Sequence, residues 1–243
     1  MQFEVISLFP EMFSSVLDAS LLGKAVKSGA LGVQFTDLRR FGLGAHQSVD
    51  DTPYGGGAGM VLRPEPIISA IESIEDARGK ARKILLTPTG NSLTQENVRR
   101  LAAEPRIMLI CGRYEGFDAR IRNFVDEEIS IGDFVLSGGE LGAMIVIDAI
   151  SRHLPGVLGN AASTTEESFE TGLLEYPQFT RPPAFRDLTV PEVLLSGNHE
   201  RIRKWRRRES LIRTRTHRPD LFARITLSDE DRKLLDAPSE SEK

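Results

Sequence analysis

The amino-acid sequence predicts an α/β fold, in which a parallel sheet covered by helices is followed by a small all-helical domain. Three short apolar runs, Lys83 to Leu86, Arg106 to Cys111 and Glu128 to Ile131, each end at a turn rich in Pro or Gly. Such runs are typical of strands buried in a parallel sheet. They alternate with segments of helical periodicity, which indicates strands joined by helices.

The other elements of this first part follow from local signals. Pro64 and Pro66 open a helix, because residues in a first helical turn need no amide partner. A polar, glycine-rich loop from about Phe41 to Gly59 precedes that helix. The periodicity further predicts a strand at Phe3 to Leu8, a helix at Pro10 to Lys27, a strand at Gly32 to Asp37 and a helix at Leu141 to Leu154.

The second part of the chain differs in composition. From Pro155 to Gly172, small and polar residues replace the apolar periodicity, which indicates a linker. Helical patterns then occupy Pro191 to Leu195, His199 to Thr214 and Ser228 to Asp236, with no strand candidate between them. We therefore predict a first domain over residues 1–158, a flexible linker over 159–172 and a helical domain over 173–243.

Composition excludes several classes of protein. Of the 243 residues, 40% are hydrophobic, which is enough to fill a core. No apolar stretch approaches the roughly 20 residues that cross a bilayer, and the N-terminus has no basic secretion signal. Cys111 is the single cysteine, and the four histidines form no HExxH pair. These features predict a soluble protein of the reducing cytoplasm, without a built-in transition metal.

Positive charge is concentrated near the C-terminus, although the formal net charge is −4. Between Arg201 and Arg218, nine cations stand against Glu209 alone. Such a run, with Trp205 among the cations, suits the phosphates of a folded RNA. The alternative is that these charged residues only face solvent on one side of a helix and bind no partner.

Glycine-rich segments are the candidates for chemistry. In DDTPYGGGAGM, from Asp50 to Met60, four glycines within five residues allow the backbone to lie flat against a ligand, the alternative being a mobile surface loop. Neither a Walker A ending nor a GxGxxG after the first strand is present. Three further loops follow the buried strands, at Leu86 to Gly90, Cys111 to Gly116 and Ile131 to Glu140. Because parallel strands end at one sheet edge, these loops can converge on one pocket that holds a purine, unless their glycines serve only tight turns.

The segments PYGGGAGM, CGRYEGFDAR, SIGDFVLSGGE, SRHLPGVLGN, YPQFTRP and VLLSGNH, in this order, resemble the bacterial tRNA (guanine-N1)-methyltransferases, the TrmD family of the SPOUT superfamily. The resemblance runs from Ser7 through the basic helix. It implies a SPOUT-type sheet with a deep trefoil knot, in which the chain after the 112–116 loop threads through the 86–90 loop. Ordinary rules of topology disfavour knots, so the residue pattern alone does not predict one.

The resemblance also implies an activity. It is methyl transfer from S-adenosyl-L-methionine to N1 of guanosine 37 in tRNA, when guanosine 36 precedes it. The enzyme would act as a homodimer with its active site at the subunit interface. A dependence on Mg²⁺ is implied as well, for which the sequence offers no site.

Site residues are assigned where the motifs match. The cofactor pocket would comprise Leu86, Thr87, Pro88, Gly112, Tyr114, Glu115, Gly116, Ile131, Gly132, Asp133, Phe134, Val135, Leu136, Gly138 and Gly139. Asp133 would either cap the backbone or bind the cofactor's amino group. The substrate side would comprise Asp50, Gly57, Gly59, Ser168, Arg206, Arg207 and Arg208.

The catalytic pair implied by the resemblance is Arg152 and Glu167. N1 of guanine carries a hydrogen at neutral pH, so a general base is required, and a positioned carboxylate can serve. Glu167 stands where the family has an aspartate, and the adjacent Glu166 is the rival candidate. Arg152, permanently cationic, would stabilise the negative charge that spreads to O6.

Two other functions stay open at this point. A non-catalytic RNA-binding protein of the same fold is one, because Glu167 and Glu175 both replace aspartates of the family. A nucleotide- or NAD-linked enzyme that uses the glycine-rich loop is the other, disfavoured by the missing fingerprints. Of the ligands S-adenosylmethionine, NAD and ATP, only the first should bind to a methyltransferase.

Overall fold

The computed structural model of the protein describes residues 1–158 and 167–237. The chain divides into two compact units, Met1–Ala161 and Ala162–Lys243. Of the predicted linker, residues 159–166 lie outside the described residues, and residues 167–172 form bends and turns. The domain boundaries proposed from the sequence remain a prediction.

A five-stranded parallel sheet forms the centre of the first unit, which confirms the predicted α/β class. The strands of this unit are β1 (Gln2–Ser7), β2 (Gly32–Asp37), β3 (Asp50–Asp51), β4 (Val61–Leu62), β5 (Arg82–Ser92), β6 (Arg106–Cys111) and β7 (Glu127–Ser130). The order in the large sheet is β2-β1-β6-β5-β7, and β3 and β4 form a separate antiparallel pair.

Helices cover both faces of the sheet. They are α1 (Ser14–Leu17), α2 (Ser20–Lys27), α3 (Pro64–Arg78), α4 (Gln95–Ala102) and α5 (Glu140–Ser151), with 3₁₀ turns at Pro10–Phe13, Leu38–Phe41 and Ala119–Phe124. Alternate residues of each strand point to opposite faces. On β1, Phe3 and Val5 join the core beneath α2, α4 and α5, whereas Ile6 joins the core beneath α3.

The predicted helix from Pro10 to Lys27 is wrong, because the chain breaks between α1 and α2. Ser20 adopts a φ of 50°, in the left-handed region. Leu17 and Leu22 are both buried while Leu21 is exposed, so the apolar stripe shifts by one residue across the break. A continuous helix would bring Leu21 rather than Leu22 under Leu17.

Strand β5 is longer than its apolar run predicts. Beyond Leu86 it continues through a polar segment to Ser92, because its two halves both pair with β7. Leu86 and Asn91 are each paired with Ile129, so residues 87–90 form an excursion whose two ends meet the same residue. A Cβ on Gly90 would lie 2.4 Å from the amide nitrogen of Ile129, and only glycine permits this approach.

The second unit contains α6 (Glu192–Leu195), α7 (His199–His217), α8 (Pro219–Phe222) and α9 (Asp229–Asp236). Its description as all-helical is wrong in one detail, since β8 (Ala184–Phe185) and β9 (Leu188–Thr189) form a small antiparallel pair. Strands of two residues are too short for an alternating pattern to reveal. In the described residues of the chain, no helix combines the length and apolar character that crossing a membrane requires.

Candidate active site

A cavity of about 230 Å³ lies at the edge of the sheet where β6 and β7 end and where β5 makes its excursion at residues 87–90. Its walls come from the three loops that the sequence predicts to converge. The predicted cofactor residues that line it are Leu86, Thr87, Pro88, Gly112, Tyr114, Glu115, Gly116, Ile131, Gly132, Phe134, Val135, Leu136, Gly138 and Gly139. Asp133 is exposed and is not among the lining residues, because the turn closed by the Phe134 amide on the Gly132 carbonyl (3.0 Å) places it at the tip.

Two of the cavity loops touch at their glycines. The amide of Gly139 donates a hydrogen bond of 2.8 Å to the carbonyl oxygen of Gly112. A Cβ on Gly139 would lie 2.8 Å from the Cα of Cys111 and 2.9 Å from the amide nitrogen of Gly112. Since both neighbours are backbone atoms, no side-chain movement could relieve that contact. The close approach of these loops therefore requires glycine at 139.

A buried ion pair lies behind the same two loops. The Nε of Arg113 is 3.0 Å from the Oε2 of Glu140, a carboxylate with no exposed surface. The hydroxyl of Ser7 donates to the other carboxylate oxygen at 2.8 Å. The Nη1 of Arg113 also donates to the carbonyl oxygen of Ser137 at 3.2 Å. These contacts join the end of β1, the loop after β6 and the start of α5.

Cys111, at the end of β6, belongs to the core rather than to the reactive groups. Its side chain is buried. Burial, together with the negative charge of Glu140, raises the pKa of the thiol well above its ordinary value. A protonated thiol is a weak nucleophile, so the structure gives Cys111 a packing role.

The glycine-rich loop is held against the cavity. The amide of Glu115 donates to the carbonyl oxygen of Met60, and the amide of Leu62 donates to that of Gly116, both at 2.9 Å. A Cβ on Gly59 would lie 2.4 Å from the Oε1 of Glu115, a cavity-lining carboxylate. The loop is therefore not independent of the cavity.

Besides Gly59, this loop contains two more predicted substrate residues, Asp50 and Gly57. Gly57 adopts a φ of 134°, which favours glycine. Asp50 lies in β3, where it pairs with Leu62 of β4. Neither Asp50 nor Gly57 is among the residues that line the cavity.

The predicted catalytic residues belong to different units. Arg152 is the C-cap of α5 and is half-buried. Glu167 is the first described residue after position 158, and its carbonyl oxygen accepts from the amide of Glu170 at 3.3 Å. Beside it, the Ser168 hydroxyl oxygen accepts from the amide of Glu175 at 2.9 Å. Glu166, the rival base, lies outside the described residues.

Helix α7 carries most of the basic segment, and several of its arginines have intramolecular partners. Arg207 binds the carboxylate of Asp231 on α9 through Nε and Nη2, at 2.7 and 3.0 Å. Arg208 donates to the carbonyl oxygens of Leu234 and Ala237, at 3.1 and 3.0 Å. The guanidinium of Arg206 stacks on the ring of Tyr176 at 4.7 Å. Part of the charge run therefore holds α9 against α7.

No group of three or more His, Cys, Asp or Glu side chains in the described parts of the chain is placed to hold a metal ion. The dependence on Mg²⁺ that the resemblance implies therefore stays a prediction.

Comparison with known proteins decides the family. The sequence profile of the family described as tRNA (Guanine-1)-methyltransferase TrmD matches residues 1–224. The chain belongs to the TrmD family. The resemblance noted in the sequence is thereby confirmed.

Several relatives within the TrmD family are similar over nearly their whole length. A tRNA (guanine-N(1)-)-methyltransferase of Syntrophotalea carbinolica is 53% identical over 235 residues, covering 97% of this chain and 95% of the relative. That of Geobacillus kaustophilus is 52% identical over 236 residues, covering 97% of each. The crystal structure of tRNA (m1G37) methyltransferase from Aquifex aeolicus matches with a TM-score of 0.74 and 42% identity, covering 92% of this chain and 95% of that chain.

Sequence reasoning missed part of the TrmD-type cavity. The additional lining residues are Arg113, Phe117, Ile129, Ser130, Ser137 and Gly142. Arg113 lies within the CGRYEGFDAR motif, so the sequence could have assigned it to the cavity. Glu140 ends the SIGDFVLSGGE motif, but nothing in the sequence pattern indicates that its side chain pairs with that of Arg113.

Proposed function

We propose that the protein transfers a methyl group from S-adenosyl-L-methionine to N1 of guanosine 37 in tRNA when guanosine 36 precedes it. The observation that carries this proposal is the glycine-walled cavity at the carboxyl edge of the sheet, in a chain of the TrmD family. The similar Aquifex aeolicus structure is that of a tRNA (m1G37) methyltransferase, which supports position 37. We place this activity in the cytoplasm.

The lining of the cavity suits this donor. Apolar side chains at Leu86, Ile131 and Leu136 offer surfaces for a flat base, and the glycines expose backbone groups that can recognise its polar edge. Glu115 adds a carboxylate that favours a positively charged ligand. When bound, the donor supplies a methyl group already activated on a sulfonium, so the protein's remaining tasks are binding, orientation and proton removal.

The fold of the cavity fits a trefoil knot. Residues 87–90 leave β7 and return to it, both ends pairing at Ile129. We propose that the chain after the 112–116 loop passes through this closed excursion. The knot would limit the movement of the three cavity walls relative to one another.

The chemistry assigned to the protein is general-base and electrostatic catalysis. A carboxylate oxygen of Glu167 accepts the proton of guanine N1, and the electron pair of that bond remains on the ring. The resulting negative charge spreads to O6, where the guanidinium of Arg152 stabilises it. A positioned base is typically worth about 10² to 10⁴ in rate.

We propose that two copies of the chain complete each site. Leu141 and Ile145, one turn apart on α5, are each 46% exposed, and Arg152 follows them on the same side of the helix. A second copy that covers this apolar face would lie beside Arg152. Its own Glu167 could then reach the guanosine held near Arg152.

The second unit would bind the tRNA. The cations of α7, including Arg206, Arg207 and Arg208, would raise affinity for phosphate, and Asp50 could read the donor edge of a guanine. Because Arg207 and Arg208 also hold α9 in place, they would support tRNA binding both by their charge and by maintaining the surface that α7 and α9 form.

The deciding experiment measures methyl transfer from labelled S-adenosylmethionine to an anticodon stem-loop with GG at positions 36 and 37. Replacing the second G by A should abolish incorporation. Glu167→Gln should also abolish it and leave donor affinity within about threefold, because the lost group acts on the proton. Glu166→Gln is the matched control and should retain activity. The opposite pattern would move the base to Glu166, and incorporation into the A-containing loop would refute the proposed substrate.

A further inference from the structure

We propose that Glu140 is a positioning residue for the donor cavity, acting through Arg113 on the loops that form its walls. The inference rests on the proposed function, since it assumes that the cavity binds S-adenosylmethionine. In this role Glu140 itself touches neither donor nor guanine.

The surroundings of Glu140 explain how a carboxylate persists there. It is fully buried at the first position of α5. A charge without water requires compensation from nearby groups. The Arg113 guanidinium at 3.0 Å, the Ser7 hydroxyl at 2.8 Å and the N-terminal peptide dipoles of α5 provide it.

Arg113 connects this charge to three segments around the cavity. Its own backbone belongs to the Cys111–Gly116 loop, and its Nη1 donates to the carbonyl of Ser137 in the loop before α5. Its guanidinium stacks on the ring of Phe9 at 4.4 Å, and Nη2 is 3.2 Å from the sulfur of Met12. One side chain therefore ties both cavity loops to the segment that follows β1.

The ion pair also packs closely against a glycine of the cavity wall. A Cβ on Gly138 would lie 2.3 Å from the Nε of Arg113 and 2.5 Å from the Oε2 of Glu140. Gly138 lines the cavity, as Arg113 does. If Glu140 lost its charge, Arg113 would lose its ionic partner, and its contacts with the two cavity loops would be less firmly fixed. The donor would then have to order the loops as it binds, and the free-energy cost of that ordering would lower its affinity.

The chain provides a matched control in Glu4. This carboxylate is also buried, and it pairs with Arg106 at 2.7 Å and with Arg78. It lies on β1 three residues before Ser7, which places it on the opposite face of the sheet and roughly 10 Å away along the strand. If buried ion pairs only stabilise this fold, Glu4→Gln and Glu140→Gln should behave alike.

The test uses the full-length protein and calorimetric titration with S-adenosylmethionine. Glu140→Gln should weaken binding about tenfold or more and raise KM for the donor by a similar factor, because the loops are no longer preorganised. At saturating donor, kcat and the KM for tRNA should stay within about threefold. Glu4→Gln should lower the melting temperature yet leave donor affinity within about twofold.

A second variant keeps the test decisive if Glu140→Gln does not fold. Ser7→Ala removes one hydrogen bond to the carboxylate and should weaken donor binding by about threefold. Unchanged affinity in Glu140→Gln, or in Ser7→Ala where the former is unfolded, would overturn the inference. An equal loss in Glu4→Gln would overturn it too. A wild-type chain that binds no donor would instead refute the proposed function, and this inference with it.

Discussion

The contact between Arg207 and Asp231 should determine much of the stability of the second unit. Asp231 is buried, and its hydrogen bonds with Arg207 lower its pKa from 3.8 to about 2. A difference of this size corresponds to about 2 kcal/mol of folding free energy. Because the Arg207 side chain is partly exposed and screened by water, we expect Asp231→Asn to cost about 1 to 2 kcal/mol near pH 7.

The same pKa fixes the sign of the pH dependence. A carboxylate whose pKa is lower in the folded state stabilises the fold at pH values above its unfolded pKa. The stabilisation from Asp231 is therefore present above about pH 4 and is lost as the pH falls through about 2. The difference in stability between wild type and Asp231→Asn should shrink over that range.

Urea denaturation followed by tryptophan fluorescence provides the assay. Trp205 is the single tryptophan of the chain and lies on α7, so its emission reports on the second unit. Asp229→Asn is the matched control on α9, because its ion pair with Arg232 is exposed and should change stability by less than about 0.5 kcal/mol. Equal effects of the two substitutions, or a difference that does not shrink in acid, would refute the reasoning.

Three further predictions concern the rate of methyl transfer, donor binding and tRNA binding. Arg152→Ala should lower kcat about 100-fold with donor affinity unchanged, and an unaltered rate in single-turnover assays would remove it from the mechanism. Gly139→Ala should weaken donor binding at least about tenfold, because its Cβ would meet backbone at 2.8 Å, and calorimetry showing normal affinity would contradict this. Neutralising Arg206, Arg207 and Arg208 together should weaken tRNA binding and flatten its dependence on salt, and filter binding with an unchanged slope would leave them structural.

The sequence predicted the sheet and the cavity loops well, because both depend on local signals. The predicted strands at residues 32–37 and 106–111 match β2 and β6 at both ends, and the 86–90 segment meets the loops after β6 and β7 at one cavity. Parallel strands must end at one edge, so the convergence follows from the fold class alone.

Features that depend on distant contacts were not predictable. The second half of β5 has a turn-like composition and becomes a strand only by pairing with β7. The cations of α7 suggested a surface for RNA, yet Arg207 and Arg208 bind α9. The sequence could not predict these contacts, because a run of charges does not show which groups the fold places beside it. The Arg113–Glu140 pair was missed for the same reason.

Cys111 can serve as a built-in probe of local opening of the structure beside the cavity. As the sole thiol, buried at the end of β6 beneath the wall of the cavity, it is out of reach of aqueous labelling reagents while that strand stays closed. The rate at which Cys111 is labelled therefore measures how often β6 opens to solvent. Molecules that stabilise the closed state can be ranked by how strongly they slow this labelling, with no engineered tag or dye.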